Sequence, residues 1–453
     1  MAKTFRPYDL NQQLLLPPDL RAWLPDGHLA RFISDVVDEL DLSAIVRGYD
    51  GDERGQPPYH PTLMVKLLLY AYCTGRPSSR RIERATYEDV ACRVLAADQH
   101  PDHDSIAAFR QRHLPALAML FVQGLQLCRA AGLVTLGQVA LDGTKVKAQA
   151  SKHKAMSYAR MGDTEARLER EVAALLARAQ AVDAAEDAQY GRGRHGDELP
   201  AELARRENRL AKIRAAKAAL EQEAREQAVT EADAVHARLA ARAQGLTGRQ
   251  GRAPVPPDPD AARPAPGAQR NFTDPDSRIM KDGATGSFEQ AYNAQAAVDG
   301  QAQIIVAATV MQGAGDRPYL VPMLDVLHRN LDAWPTTVTA DGGYFSEANL
   351  GALAATPIDL YVPPDRHRPG PRPINAPAGP EAEIMREKLA TPAGQAVYRR
   401  RKSIVEPVFG QIKEVRGFRR FSFRGLARVT AEWSLICLTH NLLKLHRAQW
   451  ATA

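Results

Sequence analysis

The sequence predicts a mixed α/β protein whose amino-terminal part is entirely helical, and three observations support this prediction. Apolar residues recur at helical intervals from residue 1 to about residue 135. Short apolar strands lead into Asp142 and Asp341, with strand and helix patterns between them. Residues 163–245 are rich in Ala, Glu, Arg and Leu, which is typical of long helices. We therefore expect a mixed sheet with flanking helices, interrupted by a helical insertion.

The composition is that of a globular protein with an anionic partner. The chain of 453 residues carries 59 Lys and Arg against 53 Asp and Glu, giving a net charge of +6, and its arginines are clustered. A clustered basic excess favours nucleic acid as the partner. The four cysteines lack metal-ligand spacing. The longest apolar run (63–73) is too short to span a bilayer, and the amino terminus has no apolar signal core. The sequence thus predicts a cytoplasmic protein that does not bind membranes.

The amino-terminal helices contain one pattern that suggests DNA binding. Near residues 61–97, a helix is followed by a Gly- and Ser-containing turn and by a second helix that begins with Arg80 and Arg81. This order is compatible with a helix-turn-helix motif that presents arginines to DNA. An ordinary helical turn followed by arginines explains the same residues, and it is the more common case.

The helical insertion has the pattern of an antiparallel hairpin followed by a linker. Leucines and other apolar residues keep coiled-coil-like spacing at Leu168, Val172, Leu175, Leu203, Leu210, Ile213 and Leu220. Glycines and a proline in 190–200 would allow the chain to reverse there. The Pro- and Ala-rich stretch after it is predicted to be disordered or extended.

Two acidic residues follow short strands. The apolar run Val139–Leu141 is predicted to be a buried strand that ends at Asp142, although Asp-Gly is also an ordinary turn; Lys145 and Lys147 follow it. A second short strand is predicted to end at Asp341, before two glycines. Between them, Asp299-Gly300 predicts a β-hairpin. In open α/β sheets, sites form at the carboxyl ends of the strands.

A third acidic residue, Glu406, lies in the basic stretch 397–413. If this stretch is helical, Tyr398, Lys402, Glu406 and Lys413 fall near one face, and apolar residues fall on the other. Pro407 requires either a kink or a new helix capped by Glu406. A lone carboxylate among cations suits a metal ligand beside a polyanion, although a solvated surface helix with a Glu–Lys pair fits equally well.

The next segment carries more positive charge, with aromatic residues between the arginines. Its exposed cations would be Arg419, Arg420 and Arg424, and its aromatics are Phe418, Phe421 and Phe423. Aromatics between arginines in an exposed loop would suit a nucleic-acid surface. The alternative is a loop whose aromatics pack into the core and whose edge is solvated.

Three convergent carboxylates would repel one another unless cations compensated them. Two divalent cations would relieve the repulsion and could clamp the attacking and leaving oxygens of a phosphoryl transfer. Three motifs carry these acids: LDGTKVKAQASK around Asp142, TADGGYFSEANL around Asp341 and Y-x3-K-x3-E-x6-K over 398–413. Four further segments accompany them: YNAQAAVD, GFRRFSFRGL, HNLLKL and the amino-terminal HPTLMVKLLLYAYCTGRPSSRRIE. In this order they resemble bacterial insertion-sequence transposases with a ribonuclease-H-like DDE catalytic domain, near the insertion-sequence 1182 type and related to the insertion-sequence 4 and 5 transposases.

The resemblance implies roles for these residues. Asp142, Asp341 and Glu406 would be the catalytic metal ligands, holding two Mg²⁺ or Mn²⁺ ions, and Lys413 and Tyr398 would act at the transposon end. The family signature has an arginine four residues before the glutamate and a tyrosine three before that arginine. Here position 402 is Lys402, and Tyr398 lies four residues before it; Arg401 is the alternative for the arginine role.

The resemblance also implies an organisation and an activity. We expect a helical DNA-binding domain (1–135), a catalytic domain (136–155 and 271–453), a helical-hairpin insertion (156–245) and a Pro-rich linker (246–270). The expected reaction is metal-dependent hydrolysis at the ends of an insertion sequence, followed by strand transfer into target double-stranded DNA, in a homodimer. The alternatives are a nuclease of the same fold that cuts without joining, and a transposase-derived DNA-binding regulator whose acids are idle.

Overall fold

The computed structural model describes residues 19–49, 57–190, 199–243, 253–282, 286–365 and 379–451. Most of the reversal predicted at 190–200 and the first part of the predicted linker lie outside these ranges. The chain forms two compact units, one of residues 1–146 with 293–453 and one of residues 147–292. No helix among the described residues has the length and apolar content needed to cross a membrane.

The structure contains both strands and many helices, as the mixed α/β prediction requires. In chain order the helices are α1 (Leu29–Glu39), α2 (Ser43–Val46), α3 (Pro61–Cys73), α4 (Ser79–Glu88), α5 (Val90–Leu95), α6 (His103–Ala130), α7 (Tyr158–Tyr190), α8 (Leu199–Ala243), α9 (Leu320–Leu331), α10 (Glu347–Leu353), α11 (Pro380–Ala390), α12 (Pro392–Gly410) and α13 (Leu426–Ala451). The strands are β1 (Gln138–Lys147), β2 (Ala155–Ser157), β3 (Gln269–Asn271), β4 (Arg278–Lys281), β5 (Phe288–Asp299), β6 (Ile305–Met311), β7 (Thr337–Thr339) and β8 (Asp359–Tyr361).

The first unit is built on a mixed sheet in which the strands lie in the order β6, β5, β1, β7 and β8. The predicted hairpin is confirmed, since β5 and β6 pair antiparallel on either side of the turn at Asp299-Gly300. Strand β7 pairs parallel with both β1 and β8. Strand β1 continues to Lys147, so the prediction that it ends at Asp142 is wrong; only its parallel pairing with β7 stops before that residue.

Helix α13 forms the core of the first unit, where it packs against α6, α3 and β6. Its Trp433 is fully buried, and Asn441 makes two 2.8 Å hydrogen bonds to the backbone of Ile305. Gly124 of α6 allows the close approach of α13, because a side-chain carbon at that position would lie 2.3 Å from Leu438 Cδ1. In the central core, α13 therefore packs against helices on one side and against the sheet on another.

The arginine-rich loop after α12 packs its aromatics inward, so the interpretation of exposed aromatic rings is wrong. Phe418, Phe421 and Phe423 are all buried, and the Phe418 ring stacks on Tyr72 with a centroid distance of 5.4 Å. Tertiary packing determines this arrangement, since these rings bury more apolar surface against α3 and α6 than they could in a solvated loop. Arg419, Arg420 and Arg424 of this loop remain exposed, whereas Arg416 is buried.

Helix α12 runs through Pro407 without a break, so the alternative of a new helix that starts there is wrong. A proline inside a helix removes one amide donor and leaves the carbonyl four residues earlier without its usual partner. Here that carbonyl, on Ser403, accepts a 2.9 Å hydrogen bond from Gln303 Nε2. A π-helical turn (Gln411–Val415) follows directly after α12.

The second unit contains two long helices packed along each other. Their salt bridges and hydrogen bonds join Tyr158 to Glu221, Glu165 to Lys217 and Glu171 to Arg206. As the residue number in α7 rises from 158 to 171, that of its partner in α8 falls from 221 to 206. The two helices are therefore antiparallel, as expected for a helical hairpin. Their shared core consists of Met161, Leu168, Leu210, Ile213, Ala216 and Leu220. The end of the predicted linker is held in place here, because Ala268 O accepts a 2.8 Å hydrogen bond from Tyr158 N.

Candidate active site

Asp142 and Asp341 lie at the same level of the sheet. Strands β1 and β7 are parallel neighbours, and their last paired residues are Ala140 and Thr339. Each acid follows its strand's last paired residue by two positions, and side chains two apart on a strand share a face. The charge of Asp341 raises the pKa of Asp142, which places the two carboxylates within electrostatic reach of each other.

The turn after β7 has a local reason for its shape. Asp341 Oδ1 accepts a 2.8 Å hydrogen bond from Gly343 N and so caps the 3₁₀ turn Gly342–Tyr344. Tyr344 at the end of this turn is fully buried. Asp341 therefore caps one 3₁₀ turn directly after the strand, and the buried Tyr344 side chain anchors that turn.

Asp142 is partly buried and has two hydrogen-bond donors. Gly143 N donates to Oδ1 at 2.8 Å, and Arg401 Nη1 donates to Oδ2 at 3.0 Å. Burial is the largest influence on the pKa of Asp142 and raises it to about 6, with a smaller rise from Asp341, while Arg401 and the Gly143 amide lower it. A carboxyl whose pKa is perturbed by burial and by a second acid is typical of functional sites.

Arg401 is the cation that α12 turns toward the sheet. Its side chain is only 9% exposed, and its guanidinium lies 5.9 Å from the centroid of the Tyr398 ring. Burial lowers the pKa of Arg401, but the charges of Asp142, Tyr398 and Asp341 outweigh this effect and raise it. Lys402, the other candidate for the arginine role, is exposed.

Two lysines lie next to the carboxyl half of β1. Lys145 Nζ donates to Ala314 O at 2.8 Å, and burial lowers its pKa against the opposing effects of Asp316, Asp142 and Asp341. Lys413 Nζ donates to Thr144 Oγ1 at 3.1 Å and to the carbonyl of Lys145 at 3.3 Å. These lysines give the acid pair a positively charged border, the kind of surface that attracts phosphate.

Glu406 does not join the acid pair in this structure. It lies on the exposed side of α12 and has no hydrogen bond or ion pair with another described residue. Consistent with this, no three His, Cys, Asp or Glu side chains in the described ranges are grouped closely enough to hold a metal ion. The structure therefore brings together two of the three acids expected from the sequence, and it turns Arg401 rather than Glu406 toward them.

Asp316 is a further acid at this site that sequence reasoning missed. Its Oδ1 accepts hydrogen bonds from Asn293 Nδ2 at 2.7 Å and Gln295 Nε2 at 2.8 Å, and it lies 3.8 Å from Lys145 Nζ. The signal that could have revealed it is the alternation of Asn293 and Gln295 within the apolar strand β5, because two buried amides on one face require a polar partner.

The remaining predicted DNA-binding residues lie in other elements. Arg80 and Arg81 are exposed on α4, and Lys147 at the end of β1 lies 3.3 Å from Glu289. Arg419 forms an ion pair with Glu414, while Arg420 and Arg424 are exposed in the loop before α13. The acid pair thus has its own cations, Arg401, Lys145 and Lys413, and these other residues form separate basic surfaces.

Comparisons with known proteins give two family matches. Residues 263–442 match the family described as "Transposase DDE domain", and residues 18–112 match the family described as "Transposase domain (DUF772)". A search of curated proteins and a search of solved structures each gave no match. Two stretches of the chain are therefore similar to transposase domains, and the stretch 263–442 includes Asp341 and Glu406.

Proposed function

We propose that this protein is a DNA transposase of the insertion-sequence 1182 type, which hydrolyses a phosphodiester at each end of its element and joins the freed 3′-hydroxyl to target DNA. The observation that carries the proposal is the register of β1 and β7, in which Asp142 and Asp341 each follow the last residue of the parallel pairing by two positions. Acids at this position of a mixed sheet support a ribonuclease-H-like catalytic domain.

The residues around the acid pair suit a divalent cation. Carboxylate and amide oxygens are the ligands that Mg²⁺ and Mn²⁺ prefer, and Asn293 Oδ1 is a buried oxygen with no hydrogen-bond partner in the part of the chain that the structure describes. Asp142 and Asp341 would hold two such ions, with Glu406 as the third ligand. When bound, the ions neutralise the carboxylates, lower the pKa of the attacking water or hydroxyl and stabilise the leaving oxygen.

The cations of the site position the carboxylate and the DNA. Arg401 fixes the orientation of Asp142 through its 3.0 Å hydrogen bond, and the ring of Tyr398 packs beside its guanidinium. Lys145 and Lys413 hold the phosphate that flanks the scissile bond, because their ammonium groups border the acid pair. Glu406 completes the acid set from α12, where no described residue binds its carboxylate.

More distant basic residues supply the rest of the DNA contacts. The amino-terminal helices would bind the terminal repeats through Arg80 and Arg81, which are exposed on α4. Lys147, Lys402, Arg419, Arg420 and Arg424 would contact backbone phosphates, which position DNA without reading its sequence. Two copies of the chain would hold the two ends of the element together, with the α7–α8 hairpin as a candidate contact between them.

The proposal is tested by cleavage and joining of a DNA that carries the element's ends, with Mg²⁺ present. The wild type should cut this DNA and join the cut end to a second duplex. Asp142→Asn should bind the same DNA without cutting it. The matched control is Asp359→Asn, which changes an exposed carboxylate at the other end of the parallel strands and should cut normally. Cutting without joining would instead assign a nuclease, and binding without cutting by the wild type would assign a regulator.

A further inference from the structure

A hydrogen-bond network behind the acid pair is centred on Asp316. The residues that donate to it, Asn293 and Gln295, are both fully buried and project from the same face of β5. Asp316 itself is partly buried, with its side chain 22% exposed. A carboxylate that accepts two buried amide groups fixes the orientation of both, because each amide has one donor end and one acceptor end.

One branch of the network leads to Asp341. Gln295 donates its Nε2 to Asp316, which leaves its Oε1 to accept a hydrogen bond from the Tyr344 hydroxyl. Tyr344 closes the 3₁₀ turn that Asp341 caps. A continuous chain of hydrogen bonds therefore runs from Asp316 through Gln295 to the turn that carries one of the two acids.

The other branch leads to the surroundings of Asp142. Asn293 Nδ2 donates to Asp316 Oδ1 and, at 3.2 Å, to Gly313 O, so the amide oxygen must point elsewhere. That oxygen is buried and unpartnered. It lies 2.7 Å from the position that a side-chain carbon on Gly143 would occupy, and Asp316 Oδ1 lies 2.9 Å from the same position. Asn293 and Asp316 therefore pack against Gly143, on the face of β1 opposite the Asp142 side chain.

We propose that Asp316 is a positioning residue for both acids: through Gln295 and Tyr344 it fixes the turn that carries Asp341, and together with Asn293 it packs against Gly143, whose amide donates to the Asp142 carboxylate. Residues behind the direct ligands orient those ligands and tune metal affinity. The expected effect on metal affinity rests on the proposed metal-dependent function; the anchoring of the turn concerns the protein without metal.

The test compares Asp316→Ala with Asp316→Asn in the full-length protein. In Asp316→Ala, Mn²⁺ affinity measured by calorimetry should fall at least about 10-fold. Without metal, amide hydrogen exchange over residues 339–345 should become at least about 10-fold faster, because the turn loses its anchor. Asp316→Asn should retain most of the Mn²⁺ affinity and the slow exchange, since its amide oxygen can accept both hydrogen bonds. Asp325→Ala, an exposed acid on α9, is the control and should match the wild type.

Each outcome decides the proposal. Wild-type exchange and Mn²⁺ affinity in Asp316→Ala would overturn it. A loss of Mn²⁺ binding in Asp316→Asn as large as that in Asp142→Asn would also overturn it, because Asp316 would then be a direct ligand. If Asp316→Ala does not fold, the asparagine variant alone carries the test. The two readouts separate the positioning role from the proposed function, because exchange is measured without metal. If the wild type bound no Mn²⁺ but Asp316→Ala still exchanged faster, the positioning role would be supported and the metal-dependent function would be rejected.

Discussion

Two arginines on either side of the π-helical turn are buried, and their surroundings differ. Arg401 forms an ion pair with Asp142, and its pKa is raised by that carboxylate and by Asp341 despite the cost of burial. Among the described residues, the hydrogen-bond acceptors of Arg416 are neutral: Thr439 Oγ1 at 2.8 Å and Ile436 O at 3.1 Å. Burial lowers the pKa of Arg416 to about 10.

The comparison shows that this fold can bury an arginine without a carboxylate. The Arg416 guanidinium donates to a hydroxyl and a carbonyl and lies 5.2 Å from the ring of Phe418, while its Nε has no partner among the described residues. The two acids near Arg401 are therefore not needed simply to bury a cation. Burial and the charge of Asp341 raise the pKa of Asp142. A carboxylate in such surroundings is costly to keep ionised, and this cost is typical of sites that bind or react. We therefore propose that the region around Arg401 has a functional role and that Arg416 has a structural one.

The largest effect on stability is expected from Arg416→Ala. This change leaves a cavity in the core and removes a donor from two buried acceptors, which should lower the free energy of unfolding by about 3 kcal/mol. Cleavage per folded molecule should stay at the wild-type level. Urea unfolding measures the first quantity, and a loss below about 1 kcal/mol would mean that Arg416 is not structural.

Arg401→Gln should lower stability less and activity more. Asp142 keeps some contact with solvent, so losing its partner should cost about 2 kcal/mol of unfolding free energy. DNA cleavage should fall at least about 10-fold, because Asp142 loses the group that orients it. Lys402→Gln changes the adjacent, exposed cation and is the matched control. Equal losses of cleavage in the two variants would contradict the assignment of the arginine role to Arg401.

Gly143→Ala tests how closely the network packs against β1. The added methyl group would lie 2.2 Å from Gln295 Nε2 and 2.9 Å from Asp316 Oδ1, so these side chains must move. Overpacking of this kind costs about 2 kcal/mol and should also reduce cleavage. Gly137→Ala just before β1 is the control, since its nearest neighbour would be 3.8 Å away. Wild-type stability and cleavage in Gly143→Ala would show that the network is not tightly packed.

His440 makes the structural region sensitive to acid. Burial, followed by the charge of Arg416, lowers the pKa of His440 to about 3. The unfolded chain takes up a proton on this histidine below about pH 6.5, whereas the folded protein does not, so stability is full above pH 6.5 and is lost as the pH falls toward 3. The His440 contribution should drop by about 2 kcal/mol between pH 6.5 and pH 5. His440→Gln should flatten this part of the stability profile in denaturant titrations, and an unchanged slope would contradict the assignment.

The parts of this fold that depend on local patterns could be predicted from the sequence. The β5–β6 hairpin follows from a strong turn dipeptide between two apolar segments. The strands near Asp142 and Asp341 follow from short apolar runs, and their parallel register then determines that the acids are neighbours. The antiparallel α7–α8 pair follows from leucine spacing over many turns.

The parts that depend on tertiary packing could not be predicted. Helical offsets place Lys402 and Glu406 on one face, but only the packing of Val405 and Val408 against the first unit determines that Arg401 faces the sheet. Asp316 lies 174 positions after Asp142 in the chain, and nothing local connects the two. Phe418 packs on α3 and Phe423 on α6, which are distant in sequence, and Phe421 packs on Trp433 of α13.

The most direct test of the central claim is cleavage of an element-end DNA by Asp341→Asn and Glu406→Gln, each measured at equal DNA occupancy and with Mg²⁺. If Asp142 and Asp341 form the catalytic pair and Glu406 completes it on α12, both variants should bind the DNA and cut it at least about 1,000-fold more slowly than the wild type. Cleavage by Asp341→Asn at the wild-type rate would contradict the account, because the pair formed by Asp142 in β1 and Asp341 after β7 would then not be the site of the reaction.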